Sequence, residues 1–345
     1  MSLLFIDGFD HYSDLDVKWD GGSFFGNMFP AANKGRFGGQ ALQIKGTAGG
    51  GLRTKSIQLT QELIVGFAVL FTTDHTVNIE FGNAGDPNVF QTVISPATGV
   101  VTMTFDGGTS VIATAASIIS EDTWFYIELR GKAHPSLGEM EIRVNNTVEA
   151  SITGQNFSVG ADMNAVGVRA TNNLQLAFVD SIYIMDTLGT DNITFIGDSR
   201  VVTLLPSANG TVNQFTSSVG GAAQFTMTDD VLFDDDSTFV ESGIVGAKED
   251  YDNQSFSDIG LSPGTIFGVQ VVNASKKTDA AELRYRDQMV VAGVAFDTGI
   301  DTTATATLYK MTTFIRDTDP SDDATWTEAK VAAVGSGIEI VFRQT

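Results

Sequence analysis

Trp124-Phe125-Tyr126-Ile127-Glu128-Leu129-Arg130 is followed by Met140-Glu141-Ile142-Arg143-Val144, then by Asn145-Asn146-Thr147 and Val148-Glu149-Ala150-Ser151-Ile152. The first run is rich in the aromatic and β-branched residues that suit a pleated, half-buried surface. In the second, apolar and charged residues alternate with a period of two, the spacing of a strand. The Asn-Asn pair between the second run and the third reads as a hairpin. This segment predicts antiparallel β-structure.

The same texture extends outward on both sides. Ile64–Phe71 is a continuous apolar run, and Val77-Asn78-Ile79-Glu80-Phe81 alternates as a strand with one inward face. Val100–Phe105 leads through Asp106-Gly107-Gly108-Thr109, a glycine-rich hairpin turn, into Ser110–Ala113. Phe178–Met185 closes this half. So many strands in about 190 residues point to a two-sheet sandwich, which buries one face of each sheet. The second half changes style after Asp186–Asn192, and Asp198–Pro206 opens a new series. Its expected strands are Ile266–Asn273, Glu282–Val291, Thr303–Met311 and Gly337–Phe342. A short helix is expected at Trp326–Val334, capped by Thr325. The boundary falls near residues 192–197, giving domains 1–192 and 197–345.

Composition narrows the function classes. The chain has 345 residues, 20 Lys and Arg against 42 Asp and Glu, a net charge of -22, 24 Phe and no Cys. That balance argues against binding a phosphate backbone and against anionic membrane surfaces. Without cysteine there is no disulfide, thiolate or zinc-ribbon chemistry. The opening MSLLFIDGFD does not read as a signal peptide, and no apolar run reaches the ~20 residues of a spanning helix.

Three segments carry a family resemblance. They are Phe5-Ile6-Asp7-Gly8-Phe9-Asp10-His11-Tyr12 with Lys18-Trp19 and Gly35–Leu42, the paired runs Thr123–Leu129 and Gly138–Asn145, and Asp180–Ile184. Together they resemble the concanavalin A-like (laminin-G-like) jelly rolls of tailed-phage virion proteins. In the second half, Asp198–Pro206, Asp234–Val240 and Trp326-Thr327 resemble a module that follows such jelly rolls. The resemblance implies an all-β chain: an N-terminal jelly-roll sandwich, then a smaller β-sandwich-like domain. It also implies a non-enzymatic structural protein of the virion. Assembly in the bacterial cytoplasm and release by lysis would fit the missing signal and the missing cysteines.

Gly38-Gly39 lets the backbone turn sharply into the following strand. Arg36 is expected to reach the N-terminal Asp7 and Asp10, or else to be an ordinary surface arginine. Glu139 and Glu141 share a strand face, as catalytic carboxylates of glucanases do, but Arg143 stands where a further acid would be, so solvent-facing charges are the preferred reading. Asp229, Asp230, Asp234, Asp235 and Asp236 read as a solvated loop, with calcium carried as the alternative. His11, His75 and His134 show no ligand spacing, and Gly49-Gly50-Gly51 lacks the context of a phosphate loop. Trp19, Phe24, Phe25, Phe29 and Phe37 read as packing, with glycan stacking or a subunit contact as the alternatives.

The expectation is therefore a virion protein without catalytic, cofactor or metal residues, placed at the tail tip or attached to the tail. Its partners would be other virion proteins and copies of itself, with a host surface glycan as a further option, and with no nucleic acid and no membrane insertion. Capsid decoration is the near alternative. A carbohydrate-binding module or glycoside hydrolase of the same fold is the alternative from another class.

Overall fold

The computed structural model describes residues 2–20, 27–45, 51–55, 57–73, 76–82, 89–105, 110–115, 119–157, 162–170, 176–279, 281–304 and 308–343. The chain divides into two compact units: Met1–Asp10 with Asp14–Val202, and His11–Ser13 with Thr203–Thr345.

The first unit contains β1 (Leu3–Asp7), β2 (Trp19–Asp20), β3 (Asn27–Ala32), β4 (Gln40–Lys45), β5 (Gly51–Thr54), β6 (Glu62–Phe71), β7 (Val77–Gly82), β8 (Phe90–Ser95), β9 (Val100–Phe105), β10 (Ser110–Ala115), β11 (Trp124–Lys132), β12 (Gly138–Val144), β13 (Thr147–Gln155), β14 (Ala165–Ala170) and β15 (Leu176–Met185). They form two antiparallel sheets. One is ordered β13-β12-β11-β6-β15-β4-β3, with β1 also on β15; the other is β10-β9-β8-β7-β14-β5-β2. This is the all-β, two-sheet antiparallel sandwich expected from the sequence.

Close approach at one glycine shows how the sheets meet. A Cβ on Gly131 of β11 would lie 2.7 Å from Phe90 Cδ2 on β8 and 3.1 Å from Phe81 on β7. Odd-numbered residues of β11 therefore face the interior, and even-numbered ones face outward. Phe90 also packs against Phe105 and Phe157, at ring-centroid distances of 5.3 and 5.7 Å. The hairpin between β12 and β13 turns through Asn145 and Asn146, at φ 48° and 67°. Asparagine tolerates that left-handed region, which a two-residue hairpin turn requires. The β9–β10 pairing is present, while Asp106–Thr109 lie outside the described residues.

One detail differs from expectation here. The β7 strand is buried on both faces: Asn78 and Glu80 are as enclosed as their apolar neighbours. Glu80 is admitted because Arg169 Nη1 (3.1 Å) and Gln91 Nε2 (3.2 Å) reach its Oε1. At the sheet border, β3 pairs only with β4 and carries Pro30 opposite Leu42. Proline is confined to such positions because it lacks a ladder donor.

The second unit holds β16 (Pro206–Asn213), β17 (Thr216–Ser217), β18 (Val240–Glu241), β19 (Lys248–Asn253), β20 (Val269–Ser275), β21 (Leu283–Val291), β22 (Val294–Asp297), β23 (Thr302–Thr303), β24 (Lys310–Arg316) and β25 (Val334–Arg343). The main sheet is ordered β16-β19-β25-β21-β22, with β23 on β21, beside a β20–β24 ribbon and a β17–β18 pair. Asn273 of β20 fastens ribbon to sheet: its Nδ2 donates to Asp287 Oδ1 on β21 (2.8 Å) and to the Gly337 carbonyl on β25 (3.2 Å). The sandwich-like second domain expected from sequence has this form.

Several boundaries move. The expected strand Thr303–Met311 is instead the end of β23 and the start of β24, with residues 305–307 outside the description. The helix shrinks to α1 (Glu328–Val331), whose cap is Thr327, not Thr325; Thr327 accepts from the Lys330 amide. Thr325 is engaged in a bridge with Thr318 instead. Strands β16 and β19 were not anticipated, because Ser207-Ala208-Asn209-Gly210 and Lys248-Glu249-Asp250 lack an apolar period.

Replacing Gly131 with alanine should destabilise the fold by about 1–3 kcal/mol, because a new methyl must displace the Phe90 and Phe81 rings. Urea denaturation of Gly131→Ala against the parent measures this. An unchanged midpoint would mean the sheets are not apposed at that point.

Candidate functional site

The outward face of the eight-stranded sheet gathers four of the candidate residues, Glu139, Glu141, Arg143 and Phe29. Register defines its rows. The first is Glu139–Lys132–Glu62, across β12, β11 and β6. The next are Glu141–Arg130–Ile64–Met185 and Arg143–Glu128–Gly66–Tyr183. Then come Tyr126–Ala68–Asp180 and, last, Trp124–Leu70–Phe178–Gln43–Phe29.

Charges in the first two rows neutralise one another. Arg130 Nε donates to Glu62 Oε1 at 2.6 Å, and its Nη2 lies 3.3 Å from Glu139 Oε2. Lys132 Nζ sits 3.5 Å from Glu139 and 3.7 Å from Glu62. Arg143 Nε donates to Glu141 Oε1 at 2.6 Å. Glu139 and Glu141 do share a face, as the spacing predicts, yet each is engaged by cations. Glu62, Arg130 and Lys132 went unremarked in the sequence, since their meeting depends on pairing between strands far apart in the chain.

Residues 193–202 of the same unit lie across the middle rows. The Gly197 amide donates to Glu128 Oε1 (2.8 Å), which also accepts from Tyr183 OH (2.5 Å). Tyr126 OH and Ser199 Oγ share a hydrogen bond of 2.6 Å. The Asp198 amide donates to Asn146 Oδ1 (2.8 Å), and Arg143 stacks on Phe195 with its guanidinium 4.0 Å from the ring centre. Burial pushes the Tyr126 and Tyr183 hydroxyls well above their ordinary range, and the Glu128 carboxylate beside them adds to the shift. Both phenols therefore stay protonated and act as hydrogen-bonding groups.

At the N-terminus the expected Arg36 contact is corrected. Its guanidinium pairs with both carboxylate oxygens of Asp198, Nη2 to Oδ2 at 2.6 Å, rather than with Asp7 or Asp10. Only its amide reaches toward the acidic group, donating to Asp180 Oδ2 at 2.7 Å. Asp7 is fully buried and already held: Trp19 Nε1 donates to it at 2.7 Å, Lys18 Nζ lies at 3.1 Å, and the Phe9 amide donates at 3.0 Å. Asp10 Oδ1 accepts from the Gln40 amide at 2.7 Å. Gly39 has φ 72°, and a Cβ there would strike Asp10 Oδ1 at 2.3 Å, so glycine is required on both counts. Burial pushes the Asp10 carboxyl up to about 6, against a smaller opposing effect of the Gln40 amide; Asp180 and Asp7 raise it further. Asp180 is raised as well, chiefly by burial.

The remaining candidates disperse. Thr238 Oγ1 lies 3.1 Å from Asp230 Oδ2 and 2.9 Å from Asp234 Oδ2, while Asp236 pairs with Lys276 and accepts from Tyr309 OH. Among the described residues no group of three or more acidic, His or Cys side chains is arranged to hold a metal ion. His134 Nδ1 accepts from the Ser136 and Leu137 amides and so shapes a turn. His11 is partly buried, and His75 lies outside the described residues. Gly51 begins β5, a strand context, while Gly49 and Gly50 are outside the description. Trp19 is buried between Phe5 and Phe9 and offers no stacking face. Phe24 and Phe25 lie outside the described residues. Phe29 and Phe37 are exposed, and Arg36 and Arg200 both lie against the Phe37 ring.

No family model matches the chain, and no curated protein matches it. Among solved structures it is similar to an endo-β-1,4-glucuronan lyase from the fungus Trichoderma reesei: 13% identity, TM-score 0.38, covering 52% of this chain and 94% of that one. It is also similar to carbohydrate-binding module CBM66 from Bacillus subtilis, at 12% identity and TM-score 0.35, covering 49% and 96%. A third is lectin UEA-II complexed with galactose, at 8% identity and TM-score 0.36, covering 53% and 97%.

The raised Asp10 carboxyl has a definite sign. A carboxyl whose folded pKa exceeds its unfolded value stabilises the fold at low pH, and that stability is lost as pH rises through the folded value. Stability should therefore fall as pH climbs through about 6. Asp10→Asn, which keeps an acceptor for the Gln40 amide, should flatten the fall by on the order of 1 kcal/mol, a figure discounted for the partly exposed carboxyl. Thermal unfolding across the mildly acid to neutral range tests this; parallel profiles for the two proteins would refute it.

Proposed function

We propose that this chain is a non-catalytic structural protein of a tailed-bacteriophage virion, attached to the tail and working through contacts with copies of itself and other virion proteins. One observation carries the non-catalytic part: the two carboxylates best placed for glycoside chemistry are spent on neighbouring cations, Glu139 on Arg130 and Lys132, Glu141 on Arg143. A catalytic pair must present its oxygens to the glycosidic bond, and oxygens held by neighbouring cations on the same sheet are not free to do so. The residues that carry the virion resemblance also have structural work. Asp7, Lys18, Trp19 and Asp10 with Gln40 bind the N-terminal segment to the sandwich.

Surface chemistry supports a protein that functions by contact. The second unit exposes adjacent apolar pairs, Val231-Leu232 and Ile244-Val245, together with Ile300 and Leu308. Side chains of this kind lose water favourably when another surface covers them. Assembly in the host cytoplasm belongs to the same proposal.

Mass spectrometry of purified particles should find the chain in fixed ratio to the other structural proteins, and particle reconstruction should place it on the tail. Density on the head would make it a capsid decoration protein instead. Absence from particles would overturn the proposal. Turnover of a polysaccharide by the parent protein, lost in Glu139→Gln or Glu141→Gln, would overturn its non-catalytic part.

A further inference from the structure

Lys18 and Asp7 are enclosed more completely than any other ion pair among the described residues. Their side chains are 1% and 0% exposed, and Lys18 Nζ lies 3.1 Å from Asp7 Oδ1. Elsewhere at least one partner stays in reach of water, as in Arg130 with Glu62, Arg169 with Glu80 and Lys330 with Asp319. Asp7 ends β1 and Lys18 immediately precedes β2, and those strands belong to different sheets. The surroundings are aromatic. The ammonium lies 5.2 Å from the Phe5 ring centre, and Trp19 packs between Phe5 and Phe9 at 4.9 and 5.8 Å.

Such burial changes the chemistry open to the pair. A charge held away from water is costly, and the neutral forms of both groups avoid that cost. Desolvation lowers the Lys18 pKa, while the Asp7 charge opposes the fall. Passing one proton from Nζ to Oδ1 leaves a neutral amine, which is a nucleophile, against a carboxylic acid. The second oxygen, Oδ2, accepts from the Trp19 indole N–H at 2.7 Å. That donor is placed to stabilise the negative charge that builds on Oδ2 when the carbon is attacked. Lys18 Nζ also donates to the Ile6 carbonyl at 3.1 Å, which steadies the side chain against the carboxyl. Reactants kept in contact this way combine far faster than the same groups in solution.

We propose that Lys18 and Asp7 condense into an intramolecular isopeptide bond, a covalent staple between the two sheets of the first unit. The Nζ lone pair attacks Asp7 Cγ, a C–N bond forms and the Cγ–Oδ1 bond breaks. Oδ1 leaves as water, carrying two of the three ammonium protons, and the third stays on the amide nitrogen. Oδ2 becomes the amide carbonyl and keeps the Trp19 hydrogen bond. The step is a condensation and needs no oxidant or reductant. The product amide carries neither buried charge, and the dry aromatic surroundings keep water from reversing the reaction. In a chain without cysteine this bond takes the place of a disulfide, closing residues 7–18 into a loop that restricts the unfolded chain.

The inference goes beyond the virion role proposed above and fails separately from it, since a staple can form in a chain that particles lack. Mass spectrometry of the purified full chain is the test. The intact protein should be lighter by one water than its sequence. Trypsin should spare Lys18 and release a fragment ending at Lys34, the next basic residue. Tandem spectra of that fragment should lack single backbone breaks between positions 7 and 18, because a closed loop holds both halves together. Lys18→Arg keeps the cation but replaces the amine with a poor nucleophile, and should show its full sequence mass and be cut at position 18. The parent's own fragment decides the matter even where that variant folds poorly. A full sequence mass in the parent, or tryptic cleavage at Lys18, would overturn the proposal. So would a water loss that persists in Lys18→Arg, which would mark a cyclic imide at Asp7-Gly8 instead.

Discussion

The fully buried Asp7 carboxylate is the interaction on which the first unit depends. It belongs to β1, in the eight-stranded sheet, and accepts from Trp19, which begins β2 in the other sheet. Lys18 brings the opposite charge into the same dry environment. Desolvation lowers the Lys18 pKa, and the Asp7 charge opposes that fall. Taking two charges out of water is costly, and only close geometry with additional hydrogen bonds offsets the cost. Here the Phe9 amide, the Trp19 indole and the Ile6 carbonyl provide those bonds. In a chain without cysteine, this cluster joins the two sheets at their N-terminal border.

Around that clasp, the outward face of the larger sheet shows how one surface can be divided among jobs. At the β12 side, like and unlike charges alternate so that each finds a partner across the strands. In the centre, the chain returns over its own sheet and buries two tyrosines and Glu128 beneath residues 193–202. At the β3 side, Phe29 and Lys34 are exposed above the buried Phe178. The division follows from strand order: β12 and β11 bring the charged rows, while β15, β4 and β3 bring the aromatic one. Local sequence decides which residues face outward; only topology decides which of them become neighbours.

That distinction also explains what could be read without coordinates. Long apolar or aromatic runs located β6, β11 and β15, and a period of two located β12. Burial of Trp19 agreed with the preferred packing interpretation. The Arg36 contact did not follow, because its partner Asp198 lies 162 positions along the chain and carries no local mark. Asp198–Val202, which open the second series of the sequence, lie in the first compact unit. The row Trp124–Leu70–Phe178–Gln43–Phe29 could not be read at all, since it combines five strands whose order in the sheet is not their order in the chain. In the second unit β16 and β19 were missed because polar residues there face inward: Glu249 and Asp250 are buried and accept from the Phe215 and Val212 amides.

Pro30 on the border strand β3 has a consequence for assembly. A strand that lacks one of its amide donors is a poor template for main-chain extension by a neighbouring molecule. Along that border, molecules that gather would meet through side chains and remain separable without unravelling a sheet. The same imino acid thus blunts that edge against backbone pairing between molecules.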